Sequence, residues 1–178
     1  SEEELVQDEI LGMGISDGSV FKQSIDYCKN LSQPFYSFFI TLTTHNPFVL
    51  PPEYRELNIS GEFKDLRLGN YMESANYFDR VLKEFIEDLK QEGLYENSII
   101  VLYGDHQGLD IREREIKSQV SDYLGREYRH EDMLNTSLII HIPGMGKSET
   151  ISIAGGQLDF FPTMLNLLGI EPASNNLL

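Results

Sequence analysis

Between Tyr71 and Leu89 the apolar positions Tyr71, Ala75, Phe78, Leu82, Phe85 and Leu89 recur in alternating steps of four and three. That spacing keeps one stripe of a helix apolar and predicts the longest helix of the chain, closed by Gly93. Val20, Ile25, Cys28 and Leu31 predict a shorter helix over 19–31, with Ser19 as its N-cap and Gln33-Pro34 as its breaker. Elsewhere the helical period gives way to continuous apolar runs. Phe35–Leu42 is aromatic and β-branched, Ser98–Tyr103 follows the long helix after a short link, and Ser137–Ile142 is stopped by Pro143-Gly144. Each reads as a buried strand. Ile151-Ser152-Ile153 predicts a further short strand, and 157–168 a last helix that Gly169 ends.

Three stretches lack a clear period. Residues 1–19 read as an acidic, irregular lead-in, and 49–64 as a Pro-rich polar connection. The charged stretch 109–134 reads as a partly helical surface insertion between two core elements. Strands without alternation, interleaved with helices, predict an α/β fold with a mostly parallel sheet and helices on both faces.

Composition narrows the partners. The 178 residues, 40% hydrophobic and 11% aromatic, suffice for one domain with a sizeable core. Twenty-nine acidic against fourteen basic residues give a net charge of −15, which argues against nucleic acid as a partner. An anionic substrate would need a local cation, and a bound metal would supply one. Cys28 is the single cysteine, so no internal disulfide can form, and it reads as a buried thiol. No apolar stretch reaches membrane-spanning length. The acidic start Ser1-Glu2-Glu3-Glu4 and the close at Asn175-Asn176-Leu177-Leu178 read as part of a longer protein.

The candidate chemistry lies just past the strand ends, where ligands collect in open α/β sheets. Tyr103-Gly104-Asp105-His106-Gln107-Gly108 puts a carboxylate and an imidazole side by side between glycines, half of a usable metal site. The alternative is a turn-capping Asp beside a loop His. His45, in Thr43-Thr44-His45-Asn46-Pro47-Phe48, follows the first apolar run. It is either a turn histidine, a contact for a phosphate or sulfate, or a general acid. His141 within a strand and His130 in the charged stretch read as structural or solvated. Asp159, with Pro162 three residues on, reads as a helix-start cap, and Thr43 and Thr44 as turn hydroxyls.

Taken together, Thr41–Phe48, Tyr103–Gly108 and Gly156–Thr163 resemble, in that order, the sulfatase-like branch of the alkaline phosphatase superfamily. Within that branch the chain looks like the lipoteichoic acid synthase family of polyglycerolphosphate transferases. Tyr77-Phe78-Asp79, Leu89-Lys90 and Gly93–Ser98 extend the likeness to nearly the whole chain.

The resemblance implies that a threonine nucleophile on a divalent metal attacks phosphatidylglycerol and releases diacylglycerol. The glycerol phosphate then passes to a polyglycerolphosphate acceptor. The metal is usually Mn2+, with Mg2+ or Zn2+ as alternatives. By motif, Asp105 and His106 take the place of the family's metal-binding pair, and His45 that of its phosphate-contacting histidine. No segment matches the nucleophilic threonine or the metal-binding glutamate, and Gln107 stands where close relatives often have an aromatic residue. Residues 1–178 are therefore expected to be the C-terminal portion of one partial alkaline phosphatase/sulfatase-like catalytic domain. Such a portion would be inactive alone and weak in manganese binding. In the whole protein the domain would lie on the extracellular face of the cell membrane, attached only through an N-terminal anchor outside this chain. Two alternatives stay open: a sulfuric ester hydrolase of the same fold, and a non-catalytic module that binds cell-envelope polymers.

Overall fold

A computed structural model of the chain describes residues 5–59 and 61–171; the acidic Ser1-Glu2-Glu3-Glu4 and the closing Asn175-Asn176-Leu177-Leu178 lie outside the described residues. The chain forms two compact units, Ser1–Gly144 and Met145–Leu178. The first holds β1 (Ile10–Leu11), β2 (Gly14–Ile15), α1 (Asp17–Cys28), α2 (Arg67–Gln91), β3 (Ile100–Tyr103), α3 (Arg114–Leu124), α4 (His130–Leu134) and β4 (Leu138–His141); the second holds α5 (Phe160–Leu167).

The lead-in is more ordered than its composition suggests. β1 and β2 pair antiparallel, Ile10 with Ile15 and Leu11 with Gly14. Gly12 takes the turn at φ 62°, a left-handed conformation that costs glycine little. The hairpin runs straight into α1, whose cap is Ser16 rather than Ser19: the Ser16 side chain accepts the Ser19 N–H at 3.0 Å.

α2 supplies the spine of the main core. Its fully buried row is Tyr77, Val81, Phe85 and Leu89, with Phe78, Leu82 and Ile86 half-buried beside it. α1 packs against it through Phe21, Ile25 and Cys28. Phe21 stacks on Phe85 at 4.6 Å between centroids, and Phe39 stands edge-on to both. Such ring pairs contribute about 0.5–1.5 kcal/mol each beyond burial. Cys28 is buried, 3.8 Å from the Ser37 hydroxyl, in keeping with a packed thiol.

The charged stretch 109–134 is not a mere surface insertion. Leu109, Ile116, Val120, Tyr128 and Met133 join Phe48 and Leu68 in a second core. Ile116 and Val120 lie one turn apart, so a single apolar strip on α3 suffices to bury it. Gln119, also buried on α3, accepts the Leu68 N–H at 3.0 Å and so caps the first turn of α2, which has no cap of its own.

The sheet departs furthest from expectation. The described residues are helix-rich with two small antiparallel sheets, not a mostly parallel sheet covered on both faces. β4 pairs antiparallel with β3, from Ile100 opposite His141 to Tyr103 opposite Leu138. Residues 35–42 join no ladder among the described residues. They alternate instead: Phe35 and Phe39 pack on the main core, while Tyr36, Phe38 and Ile40 are 83, 57 and 65% exposed. Residues 151–153, in the second unit, also form no ladder. A continuous apolar run signals that a strand could be covered on both faces; it carries no information on strand direction or on which neighbours are present.

In the second unit Asp159 stands at the N-cap position of α5, but its side chain caps no N–H of that helix and instead accepts the Gly156 N–H at 2.7 Å, closing the short turn ahead of α5. Among the described residues no helix is long and apolar enough to cross a membrane.

Candidate functional site

Two loops from distant parts of the first unit meet. One is the corner after β3. The ladder ends at Tyr103 opposite Leu138, and the Gly104 N–H still reaches the Ser137 carbonyl at 3.0 Å. The chain then turns through Asp105 and His106. Gly108 lets this corner lie against α2, because a Cβ there would come within 2.8 Å of the Tyr71 ring. The other is the loop 43–48. It folds as two successive turns, with the His45 N–H on the Leu42 carbonyl and the Phe48 N–H on the His45 carbonyl, both at 3.0 Å.

The structure brings His45 and His106 together, their ring centroids 5.9 Å apart and nearly perpendicular. Asp105 Oδ1 lies 3.7 Å from His106 Nε2, and both side chains are well exposed, at 74 and 54%. The two imidazoles are held alike. Nδ1 of His106 faces the Gln107 carbonyl at 2.8 Å, and Nδ1 of His45 faces the Asn46 carbonyl at 3.0 Å. A carbonyl only accepts, so Nδ1 donates in both rings, and Nε2 is the nitrogen that this bond leaves unused. Orienting an imidazole through its other nitrogen is the usual support for a metal-binding histidine.

The donor set suits a divalent cation. Two donors each about 2.1 Å from one ion lie roughly 3–3.5 Å from each other, close to the 3.7 Å between Asp105 Oδ1 and His106 Nε2. Among the described residues no group of three or more His, Cys, Asp and Glu gathers, so the corner offers two neighbouring donor atoms and not a closed cage. His141 and His130 lie elsewhere: His141 stacks on Tyr95 at 4.1 Å, and His130 opens α4.

Sequence reasoning missed two residues of this region. Arg67, first residue of α2, donates from Nη2 to Asn46 Oδ1 at 2.6 Å and pairs with Glu113, tying the His45 loop to α2 and to the start of α3. Arg67 lies 21 residues from Asn46, so no local signal in the sequence pointed to the pairing. Asp17 is buried and hydrogen-bonded to Leu42 and Thr43; in the sequence it falls within the stretch 1–19 read as an irregular lead-in, and no local signal marked it.

At the other end of the loop Phe48 is 2% exposed with φ 63°, a conformation unfavourable for a bulky residue. Its ring packs edge-on to Tyr71 at 5.2 Å. Tertiary burial thus holds the loop where local preference would not.

The first unit thus places an exposed acid–imidazole corner opposite a second imidazole, each on a loop. The chain belongs to the sulfatase family, whose model matches residues 2–170. It is homologous to lipoteichoic acid synthases. It is 42% identical over 164 residues to the lipoteichoic acid synthase-like YvgJ of Bacillus subtilis, covering 89% of this chain and 26% of that protein. To the lipoteichoic acid synthase of Staphylococcus saprophyticus it is 35% identical over 172 residues, covering 94% and 26%. The crystal structure of the lipoteichoic acid synthase LtaP from Listeria monocytogenes superposes with a TM-score of 0.84 at 30% identity, covering 94% of this chain and 42% of that one. The chain thus spans about a quarter of the length of these curated relatives.

Proposed function

We propose that residues 1–178 are a portion of a catalytic domain that transfers glycerol phosphate from phosphatidylglycerol to a polyglycerolphosphate chain, with Asp105 and His106 as two ligands of a divalent metal, manganese in the first instance. The observation that carries the reading is the meeting of Asp105–His106 with His45 across two loops, His45 and His106 lying 5.9 Å apart. The homology to lipoteichoic acid synthases supports the choice of substrate and acceptor. The metal would lower the charge on phosphoryl oxygens and favour an alkoxide nucleophile.

The chain's own residues do the rest. Asp105 Oδ1 and His106 Nε2 present adjacent donors, and the Gln107 carbonyl keeps the His106 ring in the tautomer that leaves Nε2 open. His45, oriented by the Asn46 carbonyl, points the same nitrogen outward. Neutral, that nitrogen accepts a proton; protonated, it donates a charge-assisted bond to a phosphate oxygen. The threonine nucleophile and the remaining ligand belong, in this reading, to sequence outside the chain, which alone is inactive. An extracellular location at the cell membrane follows from the same reading. The test is diacylglycerol release from phosphatidylglycerol vesicles by the full-length protein. Asp105→Ala should abolish metal-dependent release, and unchanged turnover would refute the assignment.

A further inference from the structure

We infer that Asp17 is the positioning residue for the His45 loop, a reading that rests on the assignment of His45 to the substrate phosphate. Asp17 is the first residue of α1 and is 0% exposed. Its Oδ1 accepts the N–H groups of both Leu42 and Thr43, at 2.8 and 3.1 Å. Its own N–H donates to Thr43 Oγ1 at 3.1 Å, closing a reciprocal clamp between segments some 25 residues apart. Oδ2 is buried with no hydrogen-bond partner among the described residues.

A buried carboxylate with one oxygen unsatisfied is a costly way to fill space, and an apolar side chain would pack there at less expense. What an apolar residue cannot do is accept two adjacent backbone N–H groups. The start of a helix also favours a negative charge at this point. The clamp falls where it matters for His45. Leu42, held by Asp17, accepts the His45 N–H, so one hydrogen bond separates the clamped backbone from the histidine. α1 is fixed in the main core through Phe21, Ile25 and Cys28. Asp17 therefore refers the position of His45 to the main core of the unit, and with it the approach of His45 to His106.

The test uses the full-length protein and Asp17→Ala, read by amide hydrogen exchange and by turnover. The peptide covering residues 40–46 should exchange about tenfold faster, while the α2 peptides around Val81 and Phe85 keep their protection. Turnover should fall at least about tenfold with manganese affinity within twofold of wild type, because a small displacement of a reacting group suffices for that loss. Added to His45→Ala, the substitution should cause no further loss, since its effect passes through His45. Unchanged exchange at 40–46, or an equal additional loss in the His45→Ala background, would overturn the inference. Faster exchange with full turnover in both Asp17→Ala and His45→Ala would leave Asp17 as the anchor of the loop and remove the phosphate role of His45. Thr43→Val, which deletes the return bond and leaves Asp17 in place, carries the same exchange test should Asp17→Ala fail to fold: faster exchange at 40–46 supports the clamp, and unchanged exchange overturns it.

Discussion

Asp17 and Asp105 are both aspartates beside loops that carry a candidate histidine, and their surroundings are opposite. Asp17 is sealed in the unit, gathers two backbone N–H groups, and burial raises its carboxyl above the ordinary range, with those hydrogen bonds pulling the other way. Asp105 stands 74% exposed at the end of a strand, beside a histidine oriented by the next carbonyl. The first arrangement spends its polarity on architecture. The second leaves its carboxylate exposed to solvent at a strand end, where loops carry most binding residues. A carboxylate's role here is set by where its hydrogen-bond donors come from, and residue type or strand-end location alone does not decide it.

Substitutions break the comparison in order of expected effect. In the full-length protein, Asp105→Ala or His106→Ala should abolish metal-dependent diacylglycerol release and leave urea stability within about 0.5 kcal/mol, because both side chains are exposed. His45→Ala should slow turnover by about 100-fold and spare metal affinity; an equal fall in metal affinity would make His45 a ligand. Asp17→Ala should cost about 2–3 kcal/mol in urea denaturation, since two N–H groups lose a buried acceptor. If Asp105→Ala destabilised as much as Asp17→Ala, the division between the two corners would fail.

The smallest effect is a pH dependence at the surface beside the second core. Arg126 and the Arg129 N–H hold the Asp132 carboxyl at about 2, and Arg112 holds Asp110 at about 2. Each is lowered on folding, so between the ordinary carboxylate value and about 2 the unfolded chain binds more protons. Stability should therefore fall as pH drops from about 4 towards 2, and Asp132→Asn should flatten part of that slope. A slope identical in wild type and variant would show that the Arg126 contact contributes nothing.

The elements with a strong period were legible. The spacing of Phe78, Leu82 and Phe85 located α2, and the runs at 98–103 and 137–142 located β3 and β4, both strands two residues shorter than expected. Sheet direction was not legible, because an apolar run reads the same whichever way its neighbour points. The second core escaped notice because Ile116 and Val120 are the only apolar residues on the buried strip of α3, amid charge. Asp105, His106 and His45 stood out because strand ends, glycines and imidazoles are local signals. Asp17 and Arg67 act across 25 and 21 residues of chain, and only the fold brings their partners to them.

The most direct test of the central claim is a calorimetric titration of manganese into the full-length protein and its Asp105→Ala, His106→Ala and His45→Ala variants. The account predicts one site in wild type, weakened at least about 100-fold by either of the first two substitutions and unchanged by the third. Wild-type affinity retained in Asp105→Ala would contradict it.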